Sequence, residues 1–200
     1  MGIYLGSKIL FVFLLPIWVV VRLIAFRSNS RIRSSFSLKR EVILNVFFIY
    51  ILCFIGVTLF PLKISLDRDY TWISVNVIPV MSTVKEITNI TNDPNMHSFM
   101  IKFWIKNIGG NLILLFPLGV MVPILWSKFN SAIKTTFFAF CLSLSIEVLQ
   151  LLSTYIGNAG RAFDIDDILL NTVGAYIGYI FYKKFIKNNK SILNKYLQNG

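Results

Sequence analysis

The chain has 200 residues, of which 56% are hydrophobic and 14% are charged, and its mean hydropathy is +0.68. These values exclude an ordinary soluble domain and indicate an all-α integral membrane protein. The net charge of +11 could suggest a nucleic-acid partner in a soluble protein, but here the basic residues cluster at the ends of apolar segments, so we expect no nucleic-acid binding.

Five apolar segments are long enough to predict membrane-spanning helices. They cover residues 9–26, 42–62, 108–126, 135–156 and 167–186. The sequence therefore predicts a polytopic transmembrane helical bundle of about five spanning helices. We divide it into an N-terminal helix with a basic linker (1–41), a transmembrane domain (42–186) and a basic tail (187–200).

Two features interrupt this series. The long connection 63–106 contains apolar pieces that could form interfacial or re-entrant helices, with Trp72 and Trp104 as anchors at the level of the lipid headgroups. The third segment begins with Gly109-Gly110-Asn111, which we interpret as a turn at a helix start where backbones approach closely. An alternative role for that turn is to offer backbone N–H groups to an anion.

The distribution of Lys and Arg predicts the orientation. The segments 27–41, 127–134 and 183–200 carry twelve basic residues in 41 positions, whereas the connections on the other side carry seven in 62. Short basic segments remain in the cytoplasm. We therefore expect the N-terminus outside, the C-terminus in the cytoplasm, and the connection 157–166 at the external surface.

Cysteine and histidine usage argues against two kinds of site. Cys53 and Cys141 each lie within an apolar run, where they are typical small apolar fillers and not a disulfide framework. His97 is the only histidine, so a histidine metal site or a Ser-His-Asp triad has little to build on.

Ionisable and amide side chains interrupt the last two apolar segments. Glu147 would lie in the hydrocarbon, where an acid costs roughly 2.5–3.5 kcal/mol, and Gln150 shares its helix face. On the next segment, polar residues and then glycines recur at steps of three and four and form one face. The members of this stripe are Asp164, Asp167, Asn171, Gly174 and Gly178. The two glycines predict close helix packing.

We define the polar cluster by the residues that we expect to lie together. Its members are Asn111, Glu147, Gln150, Arg161, Asp164, Asp167 and Asn171. Such residues inside a membrane indicate a functional site. The alternative is a network that only specifies the fold, with Arg161 neutralising Asp164 or Glu147. In that network Gln150 bonds Asn111 or Asn171.

The order of these motifs resembles the VanZ-like membrane family, named for a protein associated with low-level teicoplanin resistance. The pattern NxxGNxxLFxPLG runs from Asn107 to Gly119, IExxQ from Ile146 to Gln150, and RxFDxxDxxxNxxGxxxG from Arg161 to Gly178. Thr58–Pro61 and Asn76–Pro79 also look like family landmarks, so the resemblance covers roughly residues 50–182. The segment 1–41 is an addition to the shortest family members.

The resemblance implies a bacterial plasma-membrane protein with a part in glycopeptide susceptibility, and it implies no catalytic mechanism. We expect the cluster to bind an envelope lipid, a lipid-linked precursor or a lipoglycopeptide. One alternative is a lipid-phosphate-modifying enzyme in which Glu147, Asp164 and Asp167 hold Mg²⁺ or Ca²⁺. Another is a small transporter with Glu147 as its proton site.

Overall fold

The computed structural model describes residues 2–28, 37–65, 75–78, 97–155 and 163–187. In this part of the chain five α-helices form the architecture, and the predicted all-α membrane bundle is confirmed. The helices are α1 (Lys8–Ser28), α2 (Leu38–Thr58), α3 (His97–Leu125), α4 (Ala132–Tyr155) and α5 (Ile165–Phe181). A 3₁₀-helix (Ser127–Phe129) links α3 to α4, and a π-helix (Tyr182–Lys187) continues α5.

Four of the five helices are long and apolar enough to cross a membrane: α1, α2, the Ile105–Leu125 part of α3, and α4. The fifth helix, α5, has 17 residues, which at ~1.5 Å per residue span about 25 Å of a hydrocarbon core of about 30 Å. Its π-helical continuation adds six residues. The bundle therefore consists of four full-length apolar helices and one shorter helix, which carries Asp167 and Asn171 of the polar cluster and is capped by Asp164.

The start of α3 corrects one prediction. The helix begins at His97, so Gly109, Gly110 and Asn111 lie well inside it and form no turn. Glycine costs only about 1 kcal/mol in a helix interior, and the apolar residues before it continue the helical pattern. Because the backbone N–H groups of 109–111 belong to the helix, the alternative of an anion site at a helix start is wrong as well.

The core lies where α3, α4 and α5 meet, with α2 on one side. Its buried apolar side chains are Phe54 of α2, Leu115, Leu118 and Val122 of α3, Ala139 and Ile146 of α4, and Ala175 of α5. Glycines let α3 and α5 approach closely. A Cβ at Gly119 would lie 2.0 Å from the carbonyl oxygen of Ala175. The backbones of the two helices are therefore in direct contact.

Short strands join the loops at one end of the bundle. β1 (Gly2–Leu5) pairs antiparallel with β2 (Leu62–Ser65), and β3 (Val75–Asn76) pairs in parallel with β4 (Phe163–Asp164). We call the end that holds these four strands the strand end. The pairing brings the long connection back to the first residues of α5, because Asn76 lies opposite Asp164 in the register.

The opposite end collects the basic segments, and we call it the basic end: residues 27–28, 37–40, 127–134 and 182–187. Asn130 joins the last two of these segments. Its carbonyl accepts a hydrogen bond from the Tyr179 hydroxyl at 3.1 Å, and its Oδ1 accepts one from Lys187 Nζ at 3.0 Å. Phe47 of α2 packs edge-on against Trp126, with ring centroids 5.4 Å apart, which places the start of α2 at this end.

Large apolar side chains cover the outside of the bundle. Examples are Phe13 and Ile24 of α1, Val57 of α2, Ile113 of α3 and Phe137 of α4, each at least 60% exposed. An apolar surface of this extent is suited to lipid and not to water. Within α1 no residue is buried, so this helix lies at the edge of the bundle.

Candidate functional site

The site is built around the start of α5. Asp164 is the N-cap residue, with extended backbone angles (φ −131°, ψ 118°), and its Oδ1 accepts a hydrogen bond from the Asp166 backbone N–H at 2.9 Å. A carboxylate at this position satisfies one of the free N–H groups of the first turn and is favoured by the helix dipole. The same Oδ1 accepts a hydrogen bond from Asn76 Nδ2 at 2.9 Å.

Glu147 connects α4 to this cap. Its side chain is only 2% exposed, and its Oε2 accepts a hydrogen bond from the Asp164 backbone N–H at 3.0 Å. A buried carboxylate is tolerated only where hydrogen bonds or opposite charge replace its lost hydration. Glu147 and Asp164 therefore form one unit, in which α4 holds the N-cap residue of α5.

One helical turn further along α5, Asp167 is joined to α3. Asn111 Nδ2 donates a hydrogen bond to Asp167 Oδ1, and both side chains are half-buried. Bonds from an N–H group to an ionised carboxylate are about twice as strong as neutral ones. This bond couples the strand end of α3 to the first turn of α5.

Gln150 ties α4 to the exit of α2. Its Nε2 donates a hydrogen bond at 2.7 Å to the backbone carbonyl of Thr58, the last residue of α2. The last carbonyls of a helix lack partners within the helix, and the amide of Gln150 supplies one. The fold-specifying alternative named Asn111 or Asn171 as the partner of Gln150, and that part of it is wrong.

Asn171 lies deeper in the bundle. It is 4% exposed, and its Nδ2 donates a hydrogen bond to the Ser143 hydroxyl at 3.0 Å. Its Oδ1 is buried and has no hydrogen-bond partner among the residues that the structure describes. Four residues after Asp167, it lies about 6 Å further along the helix axis. The polar cluster therefore continues from the strand end into the bundle.

The two glycines of the stripe lie against α3. A Cβ at Gly174 would be 2.0 Å from the carbonyl oxygen of Leu112, and a Cβ at Gly178 would be 2.2 Å from that of Phe116. Only glycine fits these positions without a shift of backbone. This close approach brings Asn111 within reach of Asp167, so the packing face and the polar face of α5 depend on each other.

Hydrogen bonds thus join four of the seven predicted cluster residues in two pairs, Glu147 with Asp164 and Asn111 with Asp167. Gln150 and Asn171 bond to Thr58 and Ser143, which lie outside the predicted cluster. Arg161 lies outside the described residues, so its role as counter-ion stays a prediction. Within the described ranges no group of three His, Cys, Asp or Glu side chains is placed to hold a metal ion. One oxygen of each candidate metal ligand, Glu147, Asp164 and Asp167, accepts an N–H bond described above.

Three contacting residues were not predicted as site residues: Asn76, Thr58 and Ser143. Asn76 stood in a recognised sequence landmark, and a lone amide within the apolar piece around it was the available signal. Thr58 also belongs to a landmark, but it contributes its carbonyl oxygen, which every residue has, so no side-chain pattern identifies this contact. Ser143 lies four residues before Glu147 and is 1% exposed, so helical spacing placed it on the same face.

The fold and the site define a class: a multi-pass helical membrane protein with a buried carboxylate and amide cluster at one end of its bundle. The family model described as VanZ/LLP1 matches residues 47–187. The chain belongs to this family, and the resemblance found in its motifs is confirmed. The matched region contains the whole polar cluster, whereas α1 and the first part of α2 precede it. No curated protein and no solved structure matches the chain.

Proposed function

We propose that this chain is a bacterial plasma-membrane protein whose polar cluster faces outward and binds an envelope lipid, a lipid-linked precursor or a lipoglycopeptide. By binding that ligand, the protein limits the access of the drug and lowers susceptibility to glycopeptides such as teicoplanin. Family membership supports the general setting, and the arrangement of the cluster supports the binding role.

The observation that carries the proposal is the convergence of acceptor groups at the strand end. At the start of α5, Asp164 accepts a hydrogen bond from the Asn76 amide and Asp167 accepts one from the Asn111 amide. Glu147 of α4 accepts a hydrogen bond from the Asp164 backbone N–H beside them. Carboxylates attract hydroxyl, amide and ammonium donors. Precursor headgroups made of sugars and peptides carry such donors, and so do lipoglycopeptides.

The site is held in place before any ligand binds. Glu147, Asp164 and Asp167 each accept a hydrogen bond from an N–H donor of another segment, and the N-cap at Asp164 fixes the direction of α5. Groups that are already oriented lose little conformational entropy when a ligand binds. A purely structural network would need to satisfy its own polar atoms, whereas Asn171 Oδ1 has no partner in the described part of the chain.

The orientation follows from the two ends of the bundle. The basic segments lie together at the basic end, so the positive-inside rule directs that end to the cytoplasm and the strand end outward. Envelope precursors and glycopeptides act on the outer side of the membrane. The proposed site is then open to the compartment in which its ligands occur.

Lipid mass spectrometry of the purified full chain tests the proposal, with teicoplanin susceptibility of the expressing cells as the second readout. Glu147→Gln and Asp167→Asn should lose the co-purified ligand and the protection from the drug. Asp166→Asn is the matched control, because Asp166 is off the face of Asp164, Asp167 and Asn171 by helical spacing. Equal losses in all three variants, or retention in all three, would contradict the proposal.

Treatment with a chelator adds a second arm. A binding role through N–H and O–H donors predicts that the ligand is retained when divalent cations are removed. Loss of the ligand on chelation, with turnover of a lipid phosphate restored by Mg²⁺, would favour a cation-dependent enzyme instead.

A further inference from the structure

A second polar group lies at the other end of the bundle, where α1 meets α2. Trp18 Nε1 donates a hydrogen bond to Asn45 Oδ1 at 2.7 Å, and Asn45 Nδ2 donates one to the Glu41 carbonyl at 2.8 Å. Arg22 forms an ion pair with Glu41 through Nη2 and Oε1. Because α1 buries no residue, this group is a principal attachment of α1 to the bundle.

Arg22 is fixed but retains hydrogen-bonding capacity. Its guanidinium carbon lies 5.8 Å from the centre of the Trp18 ring, which itself stacks on Phe48 with centroids 4.3 Å apart. Its Nε is buried and has no hydrogen-bond partner among the described residues. A guanidinium has five N–H donors in a planar fork, a geometry that matches phosphate oxygens.

A cavity of about 260 Å³ lies beside this arginine. Its lining combines apolar side chains of one face of α1 with the polar group: Val19, Arg22, Leu23, Phe26, Glu41 and Asn45. Val19, Leu23 and Phe26 follow one another by four and three residues, so they form a continuous apolar strip along α1. A strip of this kind is suited to an acyl chain, and the arginine beside it is suited to a headgroup.

The charge and the depth of the cavity point to a lipid of the basic-end leaflet. Arg27, Lys39 and Arg40 are exposed close by, so the surroundings of the ion pair carry excess positive charge. Glu41 lies about 4.5 Å from the start of α2 and Arg22 about 9 Å from the end of α1, by helical rise. Both therefore lie near the boundary between headgroups and acyl chains.

We propose that the cleft between α1 and α2 binds an anionic phospholipid, with its phosphate at Arg22 and an acyl chain along Val19, Leu23 and Phe26. Glu41 holds Arg22 in place through one nitrogen and leaves the others available. Basic pockets between membrane helices on the cytoplasmic side bind anionic headgroups in this way. The site lies at the opposite end from the polar cluster and does not depend on the function proposed for that cluster.

The test is the melting temperature of the detergent-solubilised full chain, titrated with phosphatidylglycerol, with phosphatidylcholine and with inorganic phosphate. Phosphatidylglycerol should raise the melting temperature, and the other two should raise it far less. Arg22→Gln should weaken the apparent phosphatidylglycerol affinity about tenfold, as expected for the loss of a charge-assisted contact. Lys134→Gln, a basic residue at the same end but away from the cavity, is the matched control and should retain the affinity.

Glu41→Gln separates binding from a purely structural role. It removes the ion pair but keeps the positive charge of Arg22, so the increment produced by phosphatidylglycerol should be retained or increased even if the basal melting temperature falls. Equal effects of the two phospholipids, or an equal loss in Lys134→Gln, would overturn the proposal. An equal shift with inorganic phosphate would assign the site to a free anion and also overturn it.

Discussion

Glu147 is accommodated in an apolar bundle because Asp164, the N-cap residue of α5, presents its backbone N–H group to it. Its Oε2 lies 3.0 Å from the Asp164 nitrogen, and the Asp164 side chain in turn caps α5. Glu147 thus orients the backbone of Asp164, and the Asp164 side chain positions the first turn of α5. Burying an isolated acid at this depth would cost several kcal/mol. The hydrogen bond that Glu147 accepts offsets part of that cost.

The bond between Asn111 and Asp167 gives a prediction at the level of single residues. In a double-mutant cycle of Asn111→Ala and Asp167→Ala, we expect a coupling free energy of about 1.5–3 kcal/mol. Each single variant already removes the hydrogen bond to the charged carboxylate, so the double variant loses less than the sum of the two. Unfolding of the detergent-solubilised protein measures it. The matched cycle of Asn111 with Asp166→Ala should give less than about 0.5 kcal/mol. Strict additivity of the first pair would contradict the bond.

Sequence spacing predicted which residues of the site share a helix face but not which residues they contact. Asp164, Asp167 and Asn171 lie on one stripe because helical periodicity is local. The contacts of Asp164 with Asn76 and of Gln150 with Thr58 join residues 88 and 92 positions apart. Such pairings depend on how the long connection and α2 return to the strand end. No short-range pattern specifies that return.

At the scale of elements, the packing of α5 on α3 determines the geometry of the cluster. Membrane helices gain little from the hydrophobic effect against each other, so close backbone contact and interhelical hydrogen bonds stabilise their association. Gly119 of α3 and Gly174 of α5 each face a carbonyl oxygen of the other helix. The bond between Asn111 and Asp167 lies at the polar end of this same contact.

Gly174→Ala should therefore destabilise the bundle by about 1–3 kcal/mol or more, because the added methyl group meets backbone and no flexible side chain can move aside. The melting temperature in detergent measures the change. Gly109→Ala is the matched control: nothing lies within 4 Å of its added Cβ, and alanine favours the helix by up to about 1 kcal/mol. If Gly174→Ala were as stable as Gly109→Ala, the close contact between α3 and α5 would be refuted.

The same elements show where sequence reasoning about helix ends succeeds and fails. Pro61 favours a helix end just before it, and α2 ends at Thr58, whereas the apolar segment continues to residue 62. Gly109 and Gly110 were predicted to begin α3, yet α3 starts twelve residues before Gly109, at His97. Proline excludes a backbone hydrogen bond, whereas glycine only weakens a helix, so the two residue types differ in how strictly they define a boundary.

At the scale of the whole molecule, the bundle has two chemically different ends. Tyr179, Tyr182 and Lys187 gather around Asn130 at the basic end. The four strands and the described residues Glu147, Asp164 and Asp167 lie at the strand end. The contacts thus join basic segments that are far apart in sequence. Each basic residue near an anionic cytoplasmic leaflet is attracted to it by about 1 kcal/mol. Their sum favours one orientation of the bundle.

Cysteine labelling in intact cells tests that orientation. On a background in which Cys53 and Cys141 are replaced by alanine, an impermeant maleimide should modify Gly6→Cys at the strand end. It should modify Ser127→Cys at the basic end only after the membrane is permeabilised. Both positions lie outside the apolar helices, and no heavy atom lies within 4 Å of a Cβ added at Gly6. The reverse pattern would place the polar cluster at the cytoplasmic surface and remove its access to external ligands.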